Sequence, residues 1–155
     1  MRTAGLITLM CGFPGSGKTT SIKNMPYGSV ICPDEYRMAL LGKSFFRPAE
    51  DFVWGAVKLT ARVMAGIQRN HIYIDACHLT EGSRAQWIRL ADEIGSVIRC
   101  YHVSTDWETC VRRNNDRPCP VPQSEMDRMR EIYVPPLLKE GFYTVLELTG
   151  CAEGE

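Results

Sequence analysis

Residues Gly12-Phe13-Pro14-Gly15-Ser16-Gly17-Lys18-Thr19 place glycines, a lysine and a hydroxyl in the spacing G-x-x-x-x-G-K-T. That combination suits one task, holding the phosphates of a nucleotide. Glycine lets the backbone curl until several N–H groups point at one anion. A helix starting directly after the loop adds its positive N-terminal end. Lys18 supplies a cation for the β- and γ-phosphates of ATP or another nucleoside triphosphate, and the Thr19 hydroxyl can ligate Mg²⁺. Gly12, Gly15, Ser16, Gly17 and Thr20 complete the cradle. A Gly-rich turn that merely closes a strand–helix unit does not require Gly-Lys-Thr in this register.

Other residues that could act on a phosphate follow apolar runs. Asp34 lies in Pro33-Asp34-Glu35-Tyr36-Arg37. Its carboxylate can serve as a general base for an acceptor hydroxyl, or N-cap a helix over Glu35 to Leu41; the two roles are compatible. Arg37, three residues on, shares its helix face and can bind an acceptor phosphate or pair with Asp34. Asp75 ends the run His71-Ile72-Tyr73-Ile74-Asp75 in the manner of a Walker B element. There it would hold Mg²⁺ with Thr19, directly or through water, unless it is only a strand-end turn residue. His78 reads as a turn or hydrogen-bonding residue and Arg84 as a helix-surface charge. Arg113 and Arg117, four apart, would share a helix face in a lid that closes over the phosphates. The alternative for them is a solvated basic helix end. Lys18, Asp34 and Arg117 are the candidate catalytic residues. Phe45, Phe46, Arg47 and Trp54 are candidate stacking or backbone contacts. Phe52, Trp54 and Val57 read equally as core, and core is the preferred reading for Trp54.

These residues need a frame. Apolar, β-rich runs recur at Leu6–Cys11, Ser29–Cys32, His71–Asp75, Val97–Val103 and Tyr143–Leu148. Helical spacing separates them, at Thr19 to Met25, Phe52 to Ile67, Arg84 to Ile94 and Trp107 to Asn114. A further helix runs from Ser124 to about Leu138, disturbed at Pro135-Pro136. Alternation of this kind predicts an α/β fold with a parallel sheet of about five strands, helices on both faces and a small lid at about 107–123. Ligands of such sheets bind beyond the carboxyl ends of the strands, where the residues above fall. The tail from Gly150 to Glu155 is expected to fray.

The chain of 155 residues fits a single domain over 1–155, and its charges balance to a formal net of zero. A protein that coats long nucleic acid carries a basic excess. Zero net charge therefore limits any nucleic-acid contact to a few local arginines. No apolar run approaches the ~18 residues needed to span a bilayer. The N-terminus runs straight into a strand rather than a leader. Seven cysteines without a C-x-x-C pair argue against a disulfide framework, so a reducing, cytoplasmic setting is expected. Cys11 and Cys32 read as small hydrophobes of core strands.

Taken together, the loop Gly12 to Thr20, Asp34-Glu35-Tyr36-Arg37, Asp75 with Leu79-Thr80, Arg113-Asn114-Asn115-Asp116-Arg117 before Val121-Pro122, Arg128-Met129 and Glu140-Gly141-Phe142 resemble the kinase domain of phage-type polynucleotide 5′-kinases. That group lies within a wider set of small P-loop kinases. The resemblance covers nearly the whole chain. It implies the P-loop NTPase kinase fold and transfer of the ATP γ-phosphoryl to a 5′-hydroxyl end of DNA or RNA, as in nucleic-acid repair. By that resemblance Asp34 is the base, and Arg37 touches the phosphate 3′ of the accepting nucleotide. Lys18 and Arg117 bind the donor phosphates, and Arg113 lies against the adenine. One departure is Cys77-His78, where the family often has an asparagine. The implied partners are a nucleic-acid 5′-hydroxyl end and, since no phosphatase or ligase segment is read here, such activities on a separate chain. A P-loop kinase of a small metabolite, antibiotic or nucleotide-sugar is the competing reading. A GTP switch is a third, but the N-K-x-D expected for guanine is missing.

Overall fold

A computed structural model describes residues 4–150. Five strands, β1 (Leu6–Cys11), β2 (Ser29–Ile31), β3 (His71–Ile74), β4 (Val97–Val103) and β5 (Val145–Leu148), pair in parallel in the order β2-β3-β1-β4-β5. Six helices connect them: α1 (Lys18–Lys23), α2 (Pro33–Leu41), α3 (Glu50–Ala61), α4 (Glu81–Ile94), α5 (Trp107–Asn115) and α6 (Gln123–Ile132). Short 3₁₀ turns at Arg47–Ala49 and Leu138–Glu140 complete the described elements, with a π-helical turn at Arg62–Ile67. The expected frayed tail falls on residues 151–155, outside those described.

β1 is central and buried on both faces, which is why its sequence reads as a continuous apolar run. Alternate residues point to opposite faces. Ile7, Leu9 and Cys11 join Ile72, Ile74, Ile98 and Cys100 against Val57, Ala61, Ala65, Trp87 and Leu90. Met10 joins Tyr73, Tyr101 and Val103 against Ile22 and Met25 on the other side.

Several boundaries differ from the sequence expectation for local reasons. α4 starts at Glu81, three residues before Arg84, because Thr80 and Ser83 form a capping box. α6 ends at Ile132, short of Leu138: Pro135 forces Val134 out of helical geometry and cannot donate a backbone bond. α3 begins at Glu50 and passes into the π turn. Val53, Val57, Ala61 and Ala65 are all fully buried at four-residue spacing. In an unbroken α-helix that spacing drifts about 40° per step. The wider turn keeps Ala65 on the buried stripe. Phe52 is 77% exposed and is not core, whereas Trp54 is half-buried against the core. Cys11 is buried in β1, but β2 ends at Ile31, so Cys32 caps α2 instead of lying in the strand.

Arg84 corrects the sequence reading most sharply. It is not a surface charge: its side chain is fully buried. Its guanidinium donates to both carboxylate oxygens of Glu140 at 2.7 and 2.9 Å, to His78 O at 3.0 Å and to Val134 O at 2.9 Å. Removing one member of a buried pair leaves the other charge uncompensated. Arg84→Met is therefore expected to lower stability by about 3–5 kcal/mol, read from the urea midpoint. Arg84→Met/Glu140→Leu is expected to recover most of that loss. A double variant as unstable as the single one would assign the effect to the carbonyl contacts instead.

Candidate active site

The loop between β1 and α1 has its shape for steric reasons. Gly15 and Gly17 hold φ values of 81° and 99°, in the left-handed region that favours glycine. A Cβ on Gly15 would also collide with the Cys110 carbonyl oxygen and press on Arg113 Cβ. α5 thus lies directly over the loop, and Gly15 permits that approach. Thr105 Oγ1 donates to Ser16 O at 2.7 Å and Gly12 N donates to Cys77 O at 3.0 Å, so the loop is held from both sides. The first N–H groups of α1 have no intrahelical acceptor by the geometry of a helix start.

Lys18 is nearly buried, with Nζ 3.0 Å from Gly12 O and 2.8 Å from Phe13 O. Ser16 Oγ is buried inside the loop with no hydrogen-bond partner among the described residues. An unpaired buried hydroxyl in a loop that also carries a lysine and leads into free helix N–H groups matches the donor-rich lining that a polyphosphate needs. Thr19 Oγ1 donates to Asp75 Oδ2 at 2.7 Å. A hydroxyl and a carboxylate at that separation are a hard oxygen pair. They suit Mg²⁺, which takes one or two protein oxygens together with substrate phosphates. No cluster of three or more His, Cys, Asp or Glu side chains suited to a metal occurs among the described residues.

Asp34 and Arg37 occupy the first turns of α2. The cap of that helix is Cys32 with Pro33 in its first turn, and no side chain caps it, so Asp34 does not play the N-cap role. Asp34 is 73% exposed and accepts from Arg37 Nη1 at 2.6 Å. The same guanidinium donates to both oxygens of Glu50, at 2.8 and 2.7 Å, and lies 6.0 Å from the Trp54 ring. Hydrogen bonding from Arg37 holds the Glu50 carboxyl below its ordinary range despite its burial. Glu50 and Trp54 thus brace Arg37 from behind. Sequence reading missed Glu50, because its partner lies across a connection with no regular period.

The stretch 107–123, expected to form a lid, consists of α5 and a loop over residues 116–122 that leads into α6. Asp106 caps α5 by accepting from Thr109 N at 2.8 Å. Arg113 sits on α5 above Gly15. Arg117 lies past the helix end, so the two arginines do not share one helix face. Asn114, fully buried, donates to Val121 O at 2.8 Å and accepts from Val121 N at 3.0 Å. It closes the loop that carries Arg117 and was not singled out from the sequence. Phe13 packs its ring against Trp107 and Tyr133, at centroid distances of 5.1 and 5.0 Å. A groove of about 640 Å³ along α5 and the start of α6 contains none of the phosphate-loop residues.

A model of the AAA domain family matches residues 7–136. The chain belongs to that family. The bifunctional polynucleotide phosphatase/kinase of Schizosaccharomyces pombe is 25% identical over 149 residues, which is 92% of this chain and 33% of the relative. The chain therefore spans about a third of that relative's length. A chain of the Pnkp1/Rnl/Hen1 RNA repair complex superposes with a TM-score of 0.72 at 19% identity, over 83% of this chain and 44% of that one. The Mycobacterium tuberculosis APS kinase CysC, in complex with AMPPNP and APS, gives 0.62 at 18% identity over 94% and 90%. The fold is that of P-loop kinases, with a nucleotide-binding P-loop, as the sequence predicts. No helix among the described residues is long and apolar enough to cross a membrane.

His78 sits where the resemblance leads one to look for asparagine. Its φ is 45°, its ring is buried between Trp54 and Trp87, and its Nδ1 lies 2.7 Å from Met10 O. Burial lowers its pKa from 6.5 to about 4. Burial does the same to His71, also to about 4. The unfolded chain then binds protons between those values that the native state refuses. The stability this contributes is full above about pH 6.5 and is lost as the pH falls toward 4. The melting temperature is expected to drop between pH 7.5 and pH 4.5. His78→Asn, which tolerates a positive φ and keeps a donor for Met10, is expected to drop less. Equal losses in both proteins would remove His78 as a source.

Proposed function

We propose that this chain transfers the γ-phosphoryl of ATP to the 5′-hydroxyl of a DNA or RNA strand. The observation that carries the reading is Asp34 joined to a braced Arg37 at the end of β2, two strands from the phosphate loop. An exposed carboxylate can take the proton of an incoming hydroxyl, and a fixed guanidinium can hold a phosphate next to it. The hydroxyl oxygen forms a bond to the γ-phosphorus as the bond to the β-phosphate oxygen breaks, and ADP leaves. Asp34 holds the hydroxyl proton. Lys18, Arg113 and Arg117 face the charge that develops on the transferring group. Thr19 and Asp75 hold Mg²⁺, which supplies charge neutralisation on the phosphates when bound. The polynucleotide phosphatase/kinase and RNA-repair relatives support this acceptor. A role in end healing with phosphatase or ligase activities follows from the same reading.

One observation favours a second reading, a kinase of a small molecule. The chain's net charge is zero, so it lacks the basic excess that favours nucleic acid. Labelled ATP offered with 5′-hydroxyl oligonucleotides and with a panel of small acceptors separates the two. The expected result is label on 5′-hydroxyl ends and none on 5′-phosphorylated ends. Lys18→Ala, Asp34→Asn and Arg117→Ala are each expected to lower kcat about 100-fold or more. Label only on a small acceptor reverses the assignment, and a wild-type kcat in Asp34→Asn removes it as the base.

A further inference from the structure

The stretch from Met38 to Ala49 contains Lys43 and Arg47 and no carboxylate, in a chain with no net charge. Within it Phe45 and Phe46 are 61% and 43% exposed. Lys43 Nζ lies 4.4 Å from the Phe46 ring centroid. Met38 and Leu40 are exposed beside them. Rings this open contribute little to the core, and Trp54 shows the contrast by packing half-buried against it.

Their place in the fold suggests an occupant. Asp34 and Arg37 lie at the start of α2, and this stretch follows its other end. From Asp34 to Leu41 the helix rises about 10 Å. That is roughly the length of three stacked nucleotides. The 3₁₀ turn Arg47–Ala49 then brings the chain back to Glu50, which grips Arg37. A strand with its 5′ end at Asp34 and its first phosphate on Arg37 would run along α2 to Phe45 and Phe46. Exposed aromatic rings flanked by cations form a stacking surface for unpaired bases.

We propose that Phe45 and Phe46 stack the nucleobases 3′ of the accepting nucleotide, while Lys43 and Arg47 face the adjoining phosphates. This rests on the 5′-hydroxyl kinase reading and sharpens it: the acceptor is a single strand of several nucleotides. Bases paired in a blunt duplex cannot present both faces to such a platform.

The test compares kcat/KM for a single-stranded 5′-hydroxyl ten-mer with kcat/KM for a nucleoside 3′-monophosphate. The wild-type protein is expected to favour the ten-mer strongly. In Phe45→Ala/Phe46→Ala that preference is expected to fall roughly ten-fold or more. Phe45→Tyr/Phe46→Tyr is expected to keep it. An unchanged preference in the alanine variant overturns the proposal, as does a tyrosine variant that loses as much as alanine. A change in sedimentation with the preference intact overturns it in favour of a protein contact. Label on neither acceptor removes the 5′-hydroxyl kinase reading itself, and this proposal with it.

Discussion

The buried guanidinium of Arg84 is the contact on which the arrangement around the phosphate loop depends. It reaches His78 in the connection after β3, Val134 after α6 and Glu140 before β5. His78 lies more than 50 residues before the other two, and neither His78 nor Val134 belongs to a helix or strand that would align it. Glu140 accepts in turn from Leu137 N at 2.8 Å, which fixes the turn that presents it. A buried ion pair gives little net stability over an apolar filling. What it adds here is direction, because each donor must meet a particular carbonyl or carboxylate oxygen. Cys11 Sγ also donates to the His78 carbonyl, at 3.4 Å, so the end of β1 joins the same block.

From that block the phosphate loop inherits its position. The connection after β3 presents Cys77 O to Gly12 N on one side. On the other, the residues after β4 present Thr105 to Ser16 and α5 to Gly15. The loop is therefore clamped between its two neighbouring strands' connections. Parallel pairing forces this, since all five strands end on the same side and their connections crowd one rim. Asp75 reaches Thr19 across the same rim. Residues that are 56 positions apart in sequence meet because β1 and β3 are adjacent and run the same way.

Much of this was legible in the sequence where one residue type has one reason to be present. The inner strands β1 and β3 announced themselves because buried parallel strands are apolar on both faces. The phosphate loop announced itself because glycine, lysine and threonine in that register serve one purpose. Asp34, Arg37 and Asp75 were found by their position after strands. Arg84 was misread because a charged residue type suggests solvent, although it shares the buried stripe of Trp87, Ile88 and Ala91, and because its partner Glu140 lies far along the chain. Glu50 and Asn114 were missed for the same physical reason. Each acts through one long-range or loop contact that leaves no period and no motif. The end of α6 was overrun because a helical pattern continues through Tyr133, while the backbone obeys the proline two residues later.

The same distinction bears on Arg113 and Arg117. Arg113 is carried by α5, which Gly15 admits to contact with the phosphate loop, so its place beside that loop is set by backbone packing. Arg117 is carried by a loop whose anchors are Asn114 to Val121 and its own N–H to Asn114 O at 3.2 Å. One arginine is thus placed by a rigid element, and the other by a turn closed around a single amide. Phe13, wedged between Trp107 at the start of α5 and Tyr133 at the end of α6, links the phosphate loop to both helices.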